Sequence, residues 1–179
     1  MKKRPAFVLA AAIVFAIFIF LFIFLKKSEA PTLPNVFDPQ NAAYDLDGEK
    51  VTLTNGRFEG EAAPGSAAKT EVFIFFIFSL GALDQDVSDA AAVLIVDPPG
   101  GTGTFFYVSA LINKPEKAES VNSIFLGDRI SPQNISIVNG EVLVNYAKRK
   151  DDEPFSAKPS IGVTARIIMK NGLLELKKD

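Results

Sequence analysis

The chain contains no cysteine and no histidine in 179 residues, and these two absences remove most of the usual catalytic chemistry. Without cysteine there is no disulfide, no thiolate nucleophile and no lipid-modified cysteine. Without histidine, Ser-His-Asp and Cys-His systems cannot be built, nor can the usual zinc and copper centres. Oxygen ligands remain, so calcium and magnesium are the metals left open. Any fold must hold by burial alone. These exclusions favour a non-enzymatic binding or structural module, with a small cell-envelope hydrolase as the least favoured alternative.

Charge is also missing from one long stretch. Ala6 to Leu25 reads AFVLAAAIVFAIFIFLFIFL, with no Pro or Gly, between Lys2-Lys3-Arg4 and Lys26-Lys27. A helix of that length reaches about 30 Å, the thickness of a bilayer's hydrocarbon core. A cleaved signal peptide has a shorter apolar core and a small-residue cleavage site. Here a Lys pair ends the run, and Pro31 follows the only small-x-small triplet, Ser28-Glu29-Ala30. The run therefore predicts an uncleaved, single-pass signal anchor over residues 1–27. The greater basic charge before it predicts a cytoplasmic N-terminus and an extracytoplasmic C-terminal domain.

Beyond the anchor, fourteen basic residues face twenty-one acidic ones, a formal charge of about −7. That balance argues against nucleic acid or anionic lipid as a partner. An envelope protein or a glycan is the expected partner class. Pro31, Pro34 and Pro39 mark residues 28–42 as an extended linker, leaving 43–179 as one domain.

The pattern in that domain is strand, turn, strand. Three Asn-Gly pairs each interrupt short runs of β-formers, which is the strongest local hairpin signal. A two-residue loop at Asn55-Gly56 sets Leu53 opposite Phe58. One at Asn139-Gly140 sets Ile137 opposite Val142 and Ile135 opposite Val144, and one at Asn171-Gly172 sets Met169 opposite Leu174 and Ile167 opposite Leu176. Each register places apolar on apolar.

Two runs do not alternate, Val72 to Leu80 (VFIFFIFSL) and Ala90 to Val96 (AAAVLIV), and both fit strands covered on two faces. The first is expected at the centre of the sheet. Phe105 to Ile112 is expected to pair back on Ala90 to Val96 across the Gly-rich segment DPPGGTGT, and Lys114 to Ser120 has room for one helical turn. The fold class is mainly β: an antiparallel sheet, roll or sandwich built from Asn-Gly hairpins and preceded by one transmembrane helix.

Several residues are candidates for chemistry. Asp84, Asp86 and Asp89 alternate in a loop and could converge on one hard cation such as calcium; the plainer reading is a solvated acidic turn. Ser66 and Lys69 have Ser-x-x-Lys spacing, but they lie in a Gly/Ala/Pro-rich connection without companion motifs. Pro99 to Gly103 could offer backbone N–H groups to an anion, yet it lacks a phosphate-loop lysine. Asp128-Arg129 reads as a local ion pair at a strand end, and Asn134-Ile135-Ser136 fits a glycosylation sequon.

Several segments, taken in order, resemble a family of bacterial secreted proteins and lipoproteins of unassigned function. They are Pro64-Gly65-Ser66-Ala67-Ala68-Lys69, Asp89-Ala90-Ala91, Gly100 to Phe105 (GGTGTF), Leu126 to Ile130 (LGDRI), Asn145-Tyr146-Ala147, Glu153-Pro154-Phe155 and Pro159 to Val163 (PSIGV). The resemblance spans about residues 44–178, and some members look like companions of small envelope META-type domains. It implies an envelope setting and no catalytic residue. Members have a G-D-L-D/N-G-D-G-x-x-D segment similar to the calcium loops of repeat propellers. Here that segment is Gly81-Ala82-Leu83-Asp84-Gln85-Asp86-Val87-Ser88-Asp89, without the internal glycines that turn such a loop.

Overall fold

The computed structural model describes residues 38–62, 64–83, 89–98, 100–101, 103–114 and 118–178, all within one compact unit, Asn35–Asp179. The expected membrane helix at Ala6–Leu25 lies outside the described residues. Among the described residues no helix is long and apolar enough to cross a membrane. The unit is mainly β and antiparallel throughout.

A short 3-10 turn, Pro39–Asn41, is capped by Asp38, whose carboxylate accepts the Gln40 N–H at 2.9 Å. Strands follow in chain order: β1 Ala43–Leu46, β2 Glu49–Thr52, β3 Arg57–Glu61, β4 Lys69–Gly81, β5 Asp89–Asp97, β6 Phe105–Asn113, β7 Ala118–Asp128, β8 Ser131–Val138, β9 Glu141–Lys148, β10 Ile161–Lys170 and β11 Leu173–Leu176. They form three sheets: a hairpin β1-β2, a five-stranded sheet β3-β4-β5-β6-β7 and a four-stranded sheet β11-β10-β9-β8.

The alternation along β5 explains the layering. Ala91, Val93 and Ile95 point to one face and join a core with Val142, Val144, Ile167 and Leu174 of the four-stranded sheet. Ala90, Ala92 and Leu94 point to the other and pack with Tyr44, Leu46 and Leu53 beneath the β1-β2 hairpin. Each fully buried Leu, Val or Ile side chain contributes roughly 1.5–3 kcal/mol relative to exposure. The far face of the four-stranded sheet carries a polar row in which Asn134, Asn145 and Thr164 hydrogen-bond side chain to side chain across β8, β9 and β10. Glu141 there accepts from both Lys177 and Arg166, which hold its carboxyl below the usual range.

The Asn139-Gly140 and Asn171-Gly172 hairpins form in the registers the sequence predicts, with Ile135↔Val144, Ile137↔Val142, Ile167↔Leu176 and Met169↔Leu174. β6 pairs back on β5 as expected. Three expectations are corrected. The Asn55-Gly56 turn forms, but only the Thr54↔Arg57 bridge continues it; β2 pairs with β1 and β3 with β4. The competing partner comes from Asp47-Gly48, a two-residue turn with φ of 54° and 88°, whose hairpin occupies β2. Leu53 and Phe58 still meet within one apolar cluster. Second, the middle strand of the large sheet is β5, not the Val72–Leu80 run in β4. β3 covers β4 only along Lys69–Phe73, and the far end of β4 turns toward the other sheet. Third, the expected helical turn at Lys114–Ser120 gives way at its C-terminal end to β7, because Ala118 and Ser120 pair with Asn113 and Leu111.

The two large sheets are joined at both margins by side chains. Asn122 on β7 donates to the Leu174 carbonyl at 3.0 Å and accepts the Leu174 N–H at 2.7 Å, so its amide stands in for a strand neighbour of β11. At the opposite margin the Ile137 N–H donates to Ser79 Oγ at 3.3 Å, and Gly81 packs so closely that a Cβ there would lie 2.6 Å from Ile137 Cβ. Gly81→Ala is accordingly expected to destabilise the unit by about 1–3 kcal/mol through overpacking. Urea unfolding reads this as a lower midpoint with an unchanged slope. A variant as stable as the parent would contradict the close contact of β4 with β8.

Candidate functional site

The short β1-β2 hairpin covers only part of the outer face of the five-stranded sheet, and a cleft of about 410 Å³ opens where its cover ends. Val72, Val96 and Tyr107, from three adjacent strands, form its floor. Leu46 and Val51 of the hairpin and Phe58 of β3 supply further apolar wall. Asp47, Glu49 and Lys50 border it on the hairpin side, and Glu61 and Thr70 on the sheet side.

Local chemistry holds Asp47 in place. The positive φ at Asp47 and Gly48 suits a tight turn, which Asp45 braces by accepting the Gly48 N–H at 2.9 Å. The Tyr107 hydroxyl donates to Asp47 Oδ2 at 3.0 Å. Burial, followed by this carboxylate, pushes the Tyr107 pKa up, so the phenol stays protonated as the donor. Tyr107 also begins an aromatic row: its ring centroid is 5.3 Å from that of Phe125, which lies 6.2 Å from Phe105. Phe125 is 51% exposed. Aromatic faces beside an apolar floor, with an oriented carboxylate, are the makings of a small binding site.

Those of the residues singled out from sequence for chemistry that the structure describes do not line this cleft. Asp84 and Asp86 lie outside the described residues. Asp89 is fully buried, and its two oxygens accept the Leu83 N–H at 2.8 Å and the Asn113 N–H at 3.0 Å. It thus ties the end of β6 to the chain leaving β4. Among the described residues no group of three carboxylates gathers to hold a metal ion.

Ser66 Oγ accepts the Ala68 N–H at 3.1 Å, a local turn contact. Lys69 pairs with Glu59, and that bond raises its pKa, opposite to the shift a general base needs. Gly100 and Gly101 belong to the β5-β6 turn, where the Gly101 N–H bonds to the Pro98 carbonyl at 3.4 Å. Asp128 and Arg129 form an ion pair at 3.6 Å, and Asp128 also accepts the Thr104 N–H at 2.9 Å. Arg149 donates to the Arg129 carbonyl at 3.1 Å, and the exposed Phe155 ring lies 4.8 Å from the Arg129 guanidinium and 5.2 Å from that of Arg149. Asn134 accepts from Asn145. Ser109 is the buried hydroxyl without a hydrogen-bond partner among the described residues, and it has no solvent access.

None of the cleft's carboxylates stood out in the sequence. The one available signal was Asp47-Gly48, a turn dipeptide between Tyr44-Asp45-Leu46 and Glu49-Lys50-Val51.

Replacing Asp89 tests its structural role. Asp89→Ala leaves two N–H groups without their acceptor and is expected to destabilise the unit by roughly 2–4 kcal/mol. Asp89→Asn keeps one acceptor oxygen and should lose less. Thermal melts that rank the two equally, or show no loss, would contradict the strand-tying role. Set against known protein families, curated proteins and solved structures, the chain finds no match in any of the three.

Proposed function

We propose that this chain is a membrane-tethered, extracytoplasmic binding module without catalytic activity of its own. The Ala6–Leu25 run supplies the tether, and its flanking charges favour display of the β unit outside the cytoplasm. One observation carries the binding role: the cleft between the β1-β2 hairpin and the large sheet brings together Tyr107, Phe58 and the oriented Asp47 carboxylate. The lack of His and Cys in the whole chain supports a non-enzymatic role, as does the pairing of Lys69 with Glu59 rather than with a serine.

The cysteine-free chain makes location directly testable. Lys178→Cys places a single thiol at an exposed position, and a membrane-impermeant maleimide is expected to label it in intact cells. The protein should also stay with the membranes after alkaline extraction. Labelling only after lysis would overturn the extracytoplasmic reading. For the binding role, a photo-crosslinking amino acid at Lys50 on the cleft border should give a discrete adduct in cells, and one at the exposed Lys170 should not. The absence of any adduct specific to the cleft would sink the binding reading.

A further inference from the structure

We infer that the cleft takes the ammonium-bearing side chain of a lysine in an extended peptide segment, an inference that rests on reading the cleft as a binding site. The first argument is charge. Asp47 and Glu49 border the cleft on the hairpin side against a single cation, Lys50, while the Glu61 carboxylate at the far rim accepts the Gly65 N–H at 2.8 Å. The hairpin side of the site therefore repels phosphates, carboxylates and acidic peptides. It attracts a cation.

The second argument is the surface below those carboxylates. A lysine carries its charge on a four-carbon apolar stem, which needs an apolar wall for the stem and an electron-rich or anionic terminus for the head. Val51 on the wall and Val72 and Val96 on the floor supply that surface. The rings of Tyr107 and Phe58 line the same space, and an ammonium group over an aromatic face is attracted by its quadrupole. Asp47 does not have to be ordered on binding, because its turn and the Tyr107 hydroxyl already hold it.

The third argument concerns the peptide around the lysine. The cleft, about 410 Å³, exceeds what one side chain fills and leaves room for flanking backbone. β3 is one of the two edge strands of the large sheet, and its Phe58 and Glu61 line the cleft. An extended segment running along that edge could pair with β3 and direct alternate side chains into the cleft.

Calorimetric titration of the full chain in detergent micelles tests the inference. The probe is a capped pentapeptide with a central lysine and alanine on either side, compared with the same peptide carrying acetyl-lysine or norleucine. The lysine peptide should bind, and removal of its charge in either analogue should weaken binding about tenfold or more. Asp47→Asn retains a residue suited to the left-handed turn and an oxygen for Tyr107, so it should keep the parent's melting temperature. It should nonetheless weaken the lysine peptide several-fold and leave norleucine binding unchanged. Raising the salt concentration should weaken the lysine peptide alone.

Equal affinity for lysine and norleucine would overturn the inference, because the cleft would then read apolar shape. So would no binding of the lysine peptide, or binding of a neutral N-acetylated oligosaccharide in its place. If the cleft cross-links a partner in cells while the lysine peptide fails, the ligand class falls and the binding role stands.

Discussion

Seven consecutive residues of β5, Asp89 to Ile95, are buried, and a strand buried on both faces requires a layer above and a layer below. Its neighbours in the sheet cannot supply those layers, since they lie in its own plane. The four-stranded sheet covers one face with Val142, Val144 and Ile167; the β1-β2 hairpin covers the other with Tyr44, Leu46 and Leu53. The rest of the architecture follows from holding these covers in place. Without disulfides, the covers are held by packing and by polar contacts at the margins. The Asn122 amide joins β7 to β11, Ser79 and Gly81 meet Ile137 between β4 and β8, and the Tyr44 hydroxyl bonds to the Pro39 carbonyl beneath the hairpin.

The two covers are unequal. The four-stranded sheet is broad, and its outward face includes the hydrogen-bonded Asn and Thr row and the ion-paired Glu141. The hairpin has strands of four residues each and leaves Val96, Tyr107 and Phe58 incompletely covered. The cleft is what remains where the smaller cover stops. Its acidic border comes largely from the hairpin itself, because the turn that lets β1 fold back on β2 is made by an Asp-Gly pair. One short element therefore sets both the cover and the character of the opening next to it.

Local signals are legible in the sequence, and choices between strand partners are not. The Asn139-Gly140 and Asn171-Gly172 turns join neighbouring strands, so turn geometry alone sets their registers. Asn55-Gly56 has the same chemistry, but β2 had two competing neighbours and paired with β1. The choice between Val72–Leu80 and Ala90–Val96 for the middle strand was equally hidden, since both runs are continuously apolar. It depended on how far β3 extends along β4. Asp89 alternates in sequence with Asp84 and Asp86, while in the fold its oxygens accept the N–H groups of Leu83 and of Asn113, the latter 24 residues away.

What the sequence determined by itself was the material: a β-rich, acidic, cysteine-free and histidine-free unit with tight turns at Asn-Gly pairs. Composition and turn propensity act over a few residues and need no folded context. Tertiary structure alone decided the cleft, because its residues come from β1, β2, β3, β4, β5, β6 and the turn after β1. Asp47 and Tyr107 stand 60 residues apart in the chain and 3.0 Å apart in the fold. No periodicity links them. Their meeting follows from the hairpin lying across the large sheet, a packing of two apolar faces that no local stretch of sequence encodes.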